Sequence, residues 1–207
     1  MLVNGKPLQD TYREWKNSVW GKAGAACQEC HMPERRHLWR GIHDPDMVKG
    51  GVRVEAKLKD VPENIQVEVK VTNAAVGHKF PTYITPKVFV RAELHSETGD
   101  VVTGSQREAI IGWDARAEGG QWREYFDTRI PPGQSSSHAF QWPRSKGVKY
   151  VRAWVEVHPD HFYHVHFYPA YLSSGALSPE GRRLIEKARE ESGRTTFMIF
   201  DERIPLS

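Results

Sequence analysis

Alternation of apolar and polar residues is the feature that most constrains the fold of this 207-residue chain. Over residues 52–58 and 65–71 every second residue is apolar, and the residues between them are polar or charged. This period of two is typical of strands that bury one face. Similar stretches follow at 88–94, 108–113, 122–128, 136–142 and 150–157. About seven short strands separated by turn sequences predict a mainly β fold, an antiparallel, Ig-like β-sandwich.

Helical patterns flank the strands. Residues 10–24 predict one helix, with Thr11 and Glu14 as a capping box, whereas residues 32–50 show no period and predict a loop. Ser178 predicts the start of a C-terminal helix that Gly193 closes, and residues 196–200 predict a last strand. We therefore expect a helical segment over 1–50 and a sandwich domain with a C-terminal helix over 51–207.

The only two cysteines, Cys27 and Cys30, are followed by His31 in a C-x-x-C-H array. Two thiols at this spacing can add to two vinyl groups of a porphyrin, and the next histidine then lies under the iron as its proximal ligand. A redox disulfide would be expected in a βαβ pattern, and a zinc site would need further ligands that only histidines could supply. The array predicts one covalently attached haem c.

Charge and hydropathy narrow the expected partners and location. The net charge is +3, and hydrophobic residues make up 39% of the chain. This balance gives no reason to expect a nucleic-acid partner, and no apolar run is long enough for a transmembrane helix. The first residues lack the apolar stretch of a signal peptide. Because bacteria normally attach haem c outside the cytoplasm, we expect a periplasmic or extracellular protein whose targeting segment has been removed.

Several motifs resemble those of exported multihaem cytochromes c related to hydroxylamine oxidoreductase. They are Y-x-x-W-x-x-S at 12–18, C-Q-x-C-H-M-P at 27–33, His37, G-x-H-D at 41–44 and N-x-x-x-G-H-x-F-P-T at 73–82. The chain looks like the terminal portion of such proteins, where the last haem motif precedes a β-sandwich. The resemblance implies electron transfer through a low-potential haem with two histidine ligands. Unlike that family, this chain has a single haem motif.

Three histidines are candidates for the sixth, distal iron ligand. His78 is the first choice, because the alternating pattern predicts it at a sheet edge, where Gly77 would allow close backbone approach to a flat ligand. His43 is the second choice, since the twelve residues after His31 provide ample reach. His37 is only six residues from His31, and an extended chain of that length spans about 20 Å. The resemblance also implies that a histidine unused here can serve a haem on a partner chain, so haem-to-haem contact with another chain is expected.

Tryptophans and arginines surround the motif in the sequence. The tryptophans could cover the porphyrin and exclude water, and the arginines could pair with haem propionates or form a solvated basic loop. The residues concerned are Trp15, Trp20, Trp39, Arg35, Arg36 and Arg40.

A second histidine group occupies residues 158–166. His164 and His166 would share one face of an extended segment, and His161 with Asp160 could join them around a zinc, copper or nickel ion. The favoured alternative is a polar, aromatic loop that covers the end of the sandwich. If His78 is not the distal ligand, His164 or His166 becomes the next candidate.

Two functions remain. One is an electron-transfer cytochrome with both axial positions filled, which exchanges electrons with redox partner proteins, including other cytochromes. The other is a haem enzyme or small-ligand sensor with an open or exchangeable sixth position. Several distal candidates favour electron transfer, because catalysis would need a vacant face and polar groups aimed at a bound ligand.

Overall fold

The N-terminal part of the chain is helical and buries few side chains. A computed structural model describes residues 2–206, apart from the Asp60 side chain. Its first elements are β1 (Leu2–Val3), β2 (Lys6–Pro7), α1 (Thr11–Asn17), α2 (Val19–Lys22), α3 (Cys27–His31), a 3-10 turn (Pro33–Arg35) and α4 (Pro45–Gly51). No residue within α1, α2, α3 or the 3-10 turn is buried. These elements therefore form no core of their own.

The single helix predicted over residues 10–24 is wrong, because the chain breaks at Ser18. This residue is extended, with φ −75° and ψ 168°. Its hydroxyl donates to the Trp15 carbonyl at 2.7 Å and accepts from the Gly21 amide at 3.2 Å. Ser18 thus ends α1 and caps α2, as serine does at helix starts.

The predicted capping box is also wrong. Asp10 occupies the N-cap position of α1 and makes no side-chain capping bond. Thr11 and Glu14 bind residues 79–82 instead. The local pattern predicted that these two side chains cap the helix, but both bond a loop that is distant in the sequence.

Residues 32–50 are not entirely a loop, because α4 begins at Pro45. The Asp44 carboxylate accepts from the amides of Asp46 and Met47 at 3.1 and 3.0 Å. An aspartate followed by proline at the first helical position is a helix-start signal that the loop prediction missed.

The seven predicted strands are all present, and one further strand follows the C-terminal helix. They are β3 (Val52–Val61), β4 (Asn64–Asn73), β5 (Lys87–Ser96), β6 (Arg107–Glu118), β7 (Gln121–Asp127), β8 (Ser135–Pro143) and β9 (Val148–His158). A π-helix (Tyr163–Phe167), α5 (Tyr168–Ser173), α6 (Pro179–Gly193) and β10 (Phe197–Pro205) complete the chain. The Ser178 hydroxyl caps α6 by accepting from the Gly181 amide at 3.1 Å, as predicted. β10 extends five residues beyond the predicted end at 200.

Two antiparallel sheets enclose the core. One has the order β3-β4-β8 and the other β10-β9-β5-β6-β7. In β4, Val67, Val69 and Val71 are completely buried and alternate with less buried residues, and they share the core with Val88 and Val90 of β5. The fold class is therefore confirmed as a mainly β, antiparallel sandwich with an N-terminal helical segment and a C-terminal helix. Within residues 2–206, none of the helices combines the length and apolar character needed to span a membrane.

A second, smaller apolar cluster ties the start of the chain to the larger sheet. Val3 is completely buried and packs in one cluster with the buried residues Ile84, Trp113 and Ala115. The hairpin of β1 and β2 therefore packs against the sandwich, although the sequence pattern places it in the N-terminal segment.

Candidate haem site

The proximal side of the site is built on α3, which carries the C-x-x-C-H array. Cys27 and Cys30 are exposed free thiols. His31 Nδ1 bonds the Arg40 carbonyl, and the Arg40 amide returns a bond of 3.0 Å to the His31 carbonyl. Because a carbonyl can only accept, His31 Nδ1 is the donor, which leaves Nε2 as the nitrogen that could bind a metal. Metal-binding histidines typically donate their other nitrogen in this way.

A carboxylate holds Arg40 in place behind His31. Arg40 Nε and Nη2 donate to Asp44 at 2.5 and 3.1 Å. The bonds from Arg40, helped by the Met47 amide, lower the pKa of Asp44 from 3.8 to about 2. Arg40 is therefore paired within the chain, and Arg36 is paired with Glu34 at 3.3 Å, so two of the arginines predicted to bind propionates have protein partners.

An open cavity of about 400 Å³ lies beside His31. Its lining residues are Cys27, Gln28, His31, Met32, Trp39 and Arg40. Trp39 has a left-handed backbone, with φ 49°, and is 73% exposed. Leu38 and Trp20 are also exposed. Exposed apolar side chains beside a cavity make this part of the surface a candidate contact site for a ligand or another protein.

The distal side is the loop between β4 and β5. His78 lies five residues beyond the end of β4, so it is not at the sheet edge as predicted. Its Nδ1 donates to the Lys79 carbonyl at 2.9 Å, which again leaves the Nε2 lone pair free. Burial lowers the pKa of His78 below 6.5 and outweighs the opposing bond to Lys79. Burial therefore favours the neutral ring, which is the form of histidine that binds a metal.

Asn73 anchors this loop to the sandwich. Its amide nitrogen donates to the carbonyls of His78 and Ile130 at 2.8 and 3.0 Å, and its oxygen accepts from the Val76 amide at 3.1 Å. Phe80 and Ile130 exchange two backbone bonds of 2.9 Å. Asn73 is completely buried, so each of these bonds satisfies a group that water cannot reach.

The fold brings His31 and His78 together. Their ring centroids are 6.3 Å apart, and the ring planes differ by 10°. Imidazole nitrogens bind transition metals at about 2.0–2.1 Å and lie about 1.1 Å from the ring centre, so two rings on opposite sides of one metal have centroids about 6.3 Å apart. The observed separation of the two ring centroids therefore matches the separation expected for two imidazoles that bind one metal ion.

Helix α1 connects the two sides. The Trp15 indole donates to the Ala25 carbonyl at 3.0 Å, just before the haem motif. A β-carbon on Gly77 would lie 3.1 Å from Trp15 Cδ1. The close approach that Gly77 permits is thus to Trp15. Sequence reasoning missed that Glu14 also bonds the distal loop, and the only sequence signal for Glu14 pointed to helix capping.

The other distal candidates lie elsewhere. His43 is largely exposed, and its Nε2 is 2.9 Å from Asp160 Oδ2. His37 is exposed. Of the three candidates, His78 is the one whose ring faces His31.

The second histidine group does not have the predicted geometry. Residues 163–167 form a π-helix, so His164 and His166 are not on one face of an extended segment. His164 Nδ1 donates to the Arg189 carbonyl at 2.9 Å, whereas His166 packs near His161. In the described part of the chain, no three His, Cys, Asp or Glu side chains form a group that could hold a metal ion.

His161 lies two residues before this π-helix. Burial lowers its pKa to about 4, and nearby Lys87 contributes less. Its Nδ1 is buried and has no hydrogen-bond partner among the described residues. The ring is neutral at pH 7 and packs 5.4 Å from Phe89, which agrees with the favoured packing role.

Comparison with known proteins supports the fold. The chain is similar to the crystal structure of a penta-haem cytochrome c552 from Thermochromatium tepidum, with a TM-score of 0.66 and 20% identity. The similarity covers 98% of this chain and 52% of that chain. The chain thus has the fold of about half of a multihaem cytochrome.

Other similarities are weak. A Bordetella pertussis protein assigned as ApaA is 11% identical, with a TM-score of 0.29 over 75% of this chain and 88% of that chain. The sporulation control protein Spo0M from Bacillus subtilis is 14% identical, with a TM-score of 0.21 over 53% of this chain and 43% of that chain. No protein-family model and no curated protein sequence matches the chain.

Proposed function

We propose that the chain is a c-type cytochrome that carries one covalently attached haem and acts in electron transfer. The observation that carries the proposal is the pairing of His31 and His78 at 6.3 Å beside the C-x-x-C-H array. Cys27 and Cys30 would hold the porphyrin, His31 would be the proximal ligand and His78 the distal ligand. A bound haem c supplies reversible one-electron transfer.

The protein side chains then have defined tasks. Hydrogen bonds to the Arg40 and Lys79 carbonyls would orient the two imidazoles and leave Nε2 of each ring for the iron. Residues 1–50 would serve as the haem-binding segment and residues 51–207 as its scaffold. With histidine on both sides, the site offers no open position for a small ligand, which favours electron transfer over the enzyme or sensor alternative.

Electron transfer requires partners, and the exposed apolar side chains of Trp20, Leu38 and Trp39 would suit contact with redox proteins, including other cytochromes. Contact between this haem and a haem on another chain belongs to the same proposal, because the chain covers 52% of a penta-haem neighbour. We also propose a periplasmic or extracellular location, where haem c is attached. The relation to hydroxylamine oxidoreductase remains a proposal that rests on the motifs alone.

The axial ligands can be tested in the haem-loaded chain. We expect one haem per chain in a pyridine haemochrome assay, a low-spin ferric spectrum and no carbon monoxide binding after reduction. His78→Ala should become high-spin and bind carbon monoxide, whereas the matched control His43→Ala should match the unsubstituted protein. A high-spin unsubstituted protein would reject the electron-transfer proposal. Loss of the low-spin spectrum in His43→Ala alone would make His43 the ligand.

A further inference from the structure

One face of α1 makes hydrogen bonds with the loop that contains His78. Glu14 Oε2 accepts from the Lys79 amide at 3.0 Å and from the Thr82 hydroxyl at 3.3 Å. The Thr11 and Thr82 hydroxyls are 2.7 Å apart. Since a hydroxyl has one proton and Thr82 directs its proton to the carboxylate, Thr11 donates to Thr82. A directed chain of hydrogen bonds therefore runs from Thr11 through Thr82 to Glu14.

The Glu14 carboxylate is enclosed rather than solvated. Its side chain is 9% exposed, and Lys79 Nζ and Arg129 Nη1 lie 4.0 and 3.9 Å from Oε1. A buried carboxylate needs such cations and donors to offset its desolvation. Glu14 has both cations and hydrogen-bond donors around its carboxylate, although no residue of its helix, α1, is classed as buried.

The same residue of the loop contacts both Glu14 and His78. The Lys79 amide bonds Glu14, and the Lys79 carbonyl accepts from His78 Nδ1. The position of this one peptide segment therefore depends on Glu14 and in turn orients the distal ring. The next residue of α1, Trp15, bonds the Ala25 carbonyl and contacts Gly77, so α1 spans from the proximal side to the distal side.

We propose that Glu14 is the positioning residue of the distal histidine, holding the loop of residues 77–82 at the distance from His31 that an iron needs. The inference rests on the proposed function, because it assumes that His31 and His78 share one iron. Removing the carboxylate leaves the Lys79 amide without its acceptor, and the bond between the Thr11 and Thr82 hydroxyls then remains as a polar attachment of the loop to α1.

The test uses the full, haem-loaded chain with Glu14→Ala and Glu14→Gln. We expect Glu14→Ala to show a high-spin fraction and to bind carbon monoxide at least ten times more extensively than the unsubstituted protein. Glu14→Gln keeps an acceptor oxygen for the Lys79 amide, so it should stay low-spin. Its reduction potential should rise, because the negative charge near the iron is lost. A loss of stability without displacement of His78 would change neither the spin state nor the binding of carbon monoxide.

Two further variants make the result decisive. Lys16→Ala changes an exposed residue of the same helix and should leave the spectrum unchanged. Thr82→Val removes the hydroxyl bonds of Thr82 to Glu14 and Thr11 but keeps the bond from the Lys79 amide to Glu14, so it should increase carbon monoxide binding less than Glu14→Ala does. If Glu14→Ala does not accumulate, Thr82→Val decides, and a spectrum and carbon monoxide binding equal to the unsubstituted protein would overturn the inference.

Failure of the inference can be told apart from failure of the proposed function. A low-spin unsubstituted protein with an indistinguishable Glu14→Ala variant would overturn the positioning role alone. A high-spin unsubstituted protein would overturn both, because no distal ligand would then exist for Glu14 to position.

Discussion

The helical segment and the sandwich are stabilised in different ways. From α1 to the 3-10 turn no helical position is buried, and the segment is ordered by a few polar contacts and by Trp15. In the sandwich, strands such as β4 and β5 supply a continuous apolar core. Regions with few buried apolar contacts open at low free energy, whereas core strands open with the whole fold. The C-x-x-C-H array therefore lies on the region that has no core of its own, whereas His78, the proposed distal ligand, lies on a loop that Asn73 attaches to the sandwich.

The largest expected effect is in the core of the sandwich. Ile111 is completely buried in the main cluster, so Ile111→Ala should lower the free energy of unfolding by about 2–5 kcal/mol. Urea titration measures this loss. Val101→Ala, at a half-exposed site, is the matched control and should cost less than about 0.5 kcal/mol. The haem spectrum of folded Ile111→Ala should be unchanged, and a changed spectrum would show that the two regions are not separable in this way.

A smaller effect is expected from acid, at the contact between the two regions. Burial opposes ionisation of Asp127, but bonds and charge from Arg129, helped by Lys79 and Lys6, lower its pKa from 3.8 to about 2. A lowered carboxyl pKa stabilises the folded state above pH 4, and this contribution of about 1–2 kcal/mol disappears as the pH falls from 4 to 2. Unfolding titrations across this range should show the loss.

Asp127→Asn should flatten that pH dependence, because the group can no longer ionise. Its free energy of unfolding at pH 7 should fall towards the acid value of the unsubstituted protein. An equally steep slope in Asp127→Asn would assign the acid sensitivity to other carboxylates.

The smallest effect on stability is expected at Trp39, an exposed residue of the helical segment. Trp39→Ala removes a side chain that is 73% exposed, so the free energy of unfolding should change by less than about 0.5 kcal/mol. Electron exchange with a cytochrome partner, followed by stopped-flow absorbance, should nevertheless slow if this face makes the contact. A large loss of stability with unchanged exchange would instead make Trp39 part of the core of the segment.

Local patterns predicted the sandwich well because each strand carries its own signal. The alternation along β3 and β4 places one side of each strand in the core, whichever strand lies beside it. The Ser178 cap bonds an amide within the same helical turn, so it too can be predicted from neighbouring residues. The same reasoning failed for Thr11 and Glu14, because a capping box and a pair of tertiary ligands contain the same residue types. It failed for the 163–167 segment because period-two spacing of histidines does not exclude a helix.

The sequence by itself determined the candidate cofactor and the fold class. The spacing of Cys27, Cys30 and His31 predicts haem attachment, and the alternation of apolar and polar residues predicts the strands. Only the tertiary structure decided which histidine faces His31, that His43 turns to Asp160, and that Glu14 bonds the loop of residues 77–82. These contacts join residues far apart in the chain, such as Glu14 and Thr82 at a separation of 68. The geometry of these contacts depends on how the sheets bring α1 and the β4–β5 loop together. A pattern of neighbouring residues contains no information about such long-range contacts.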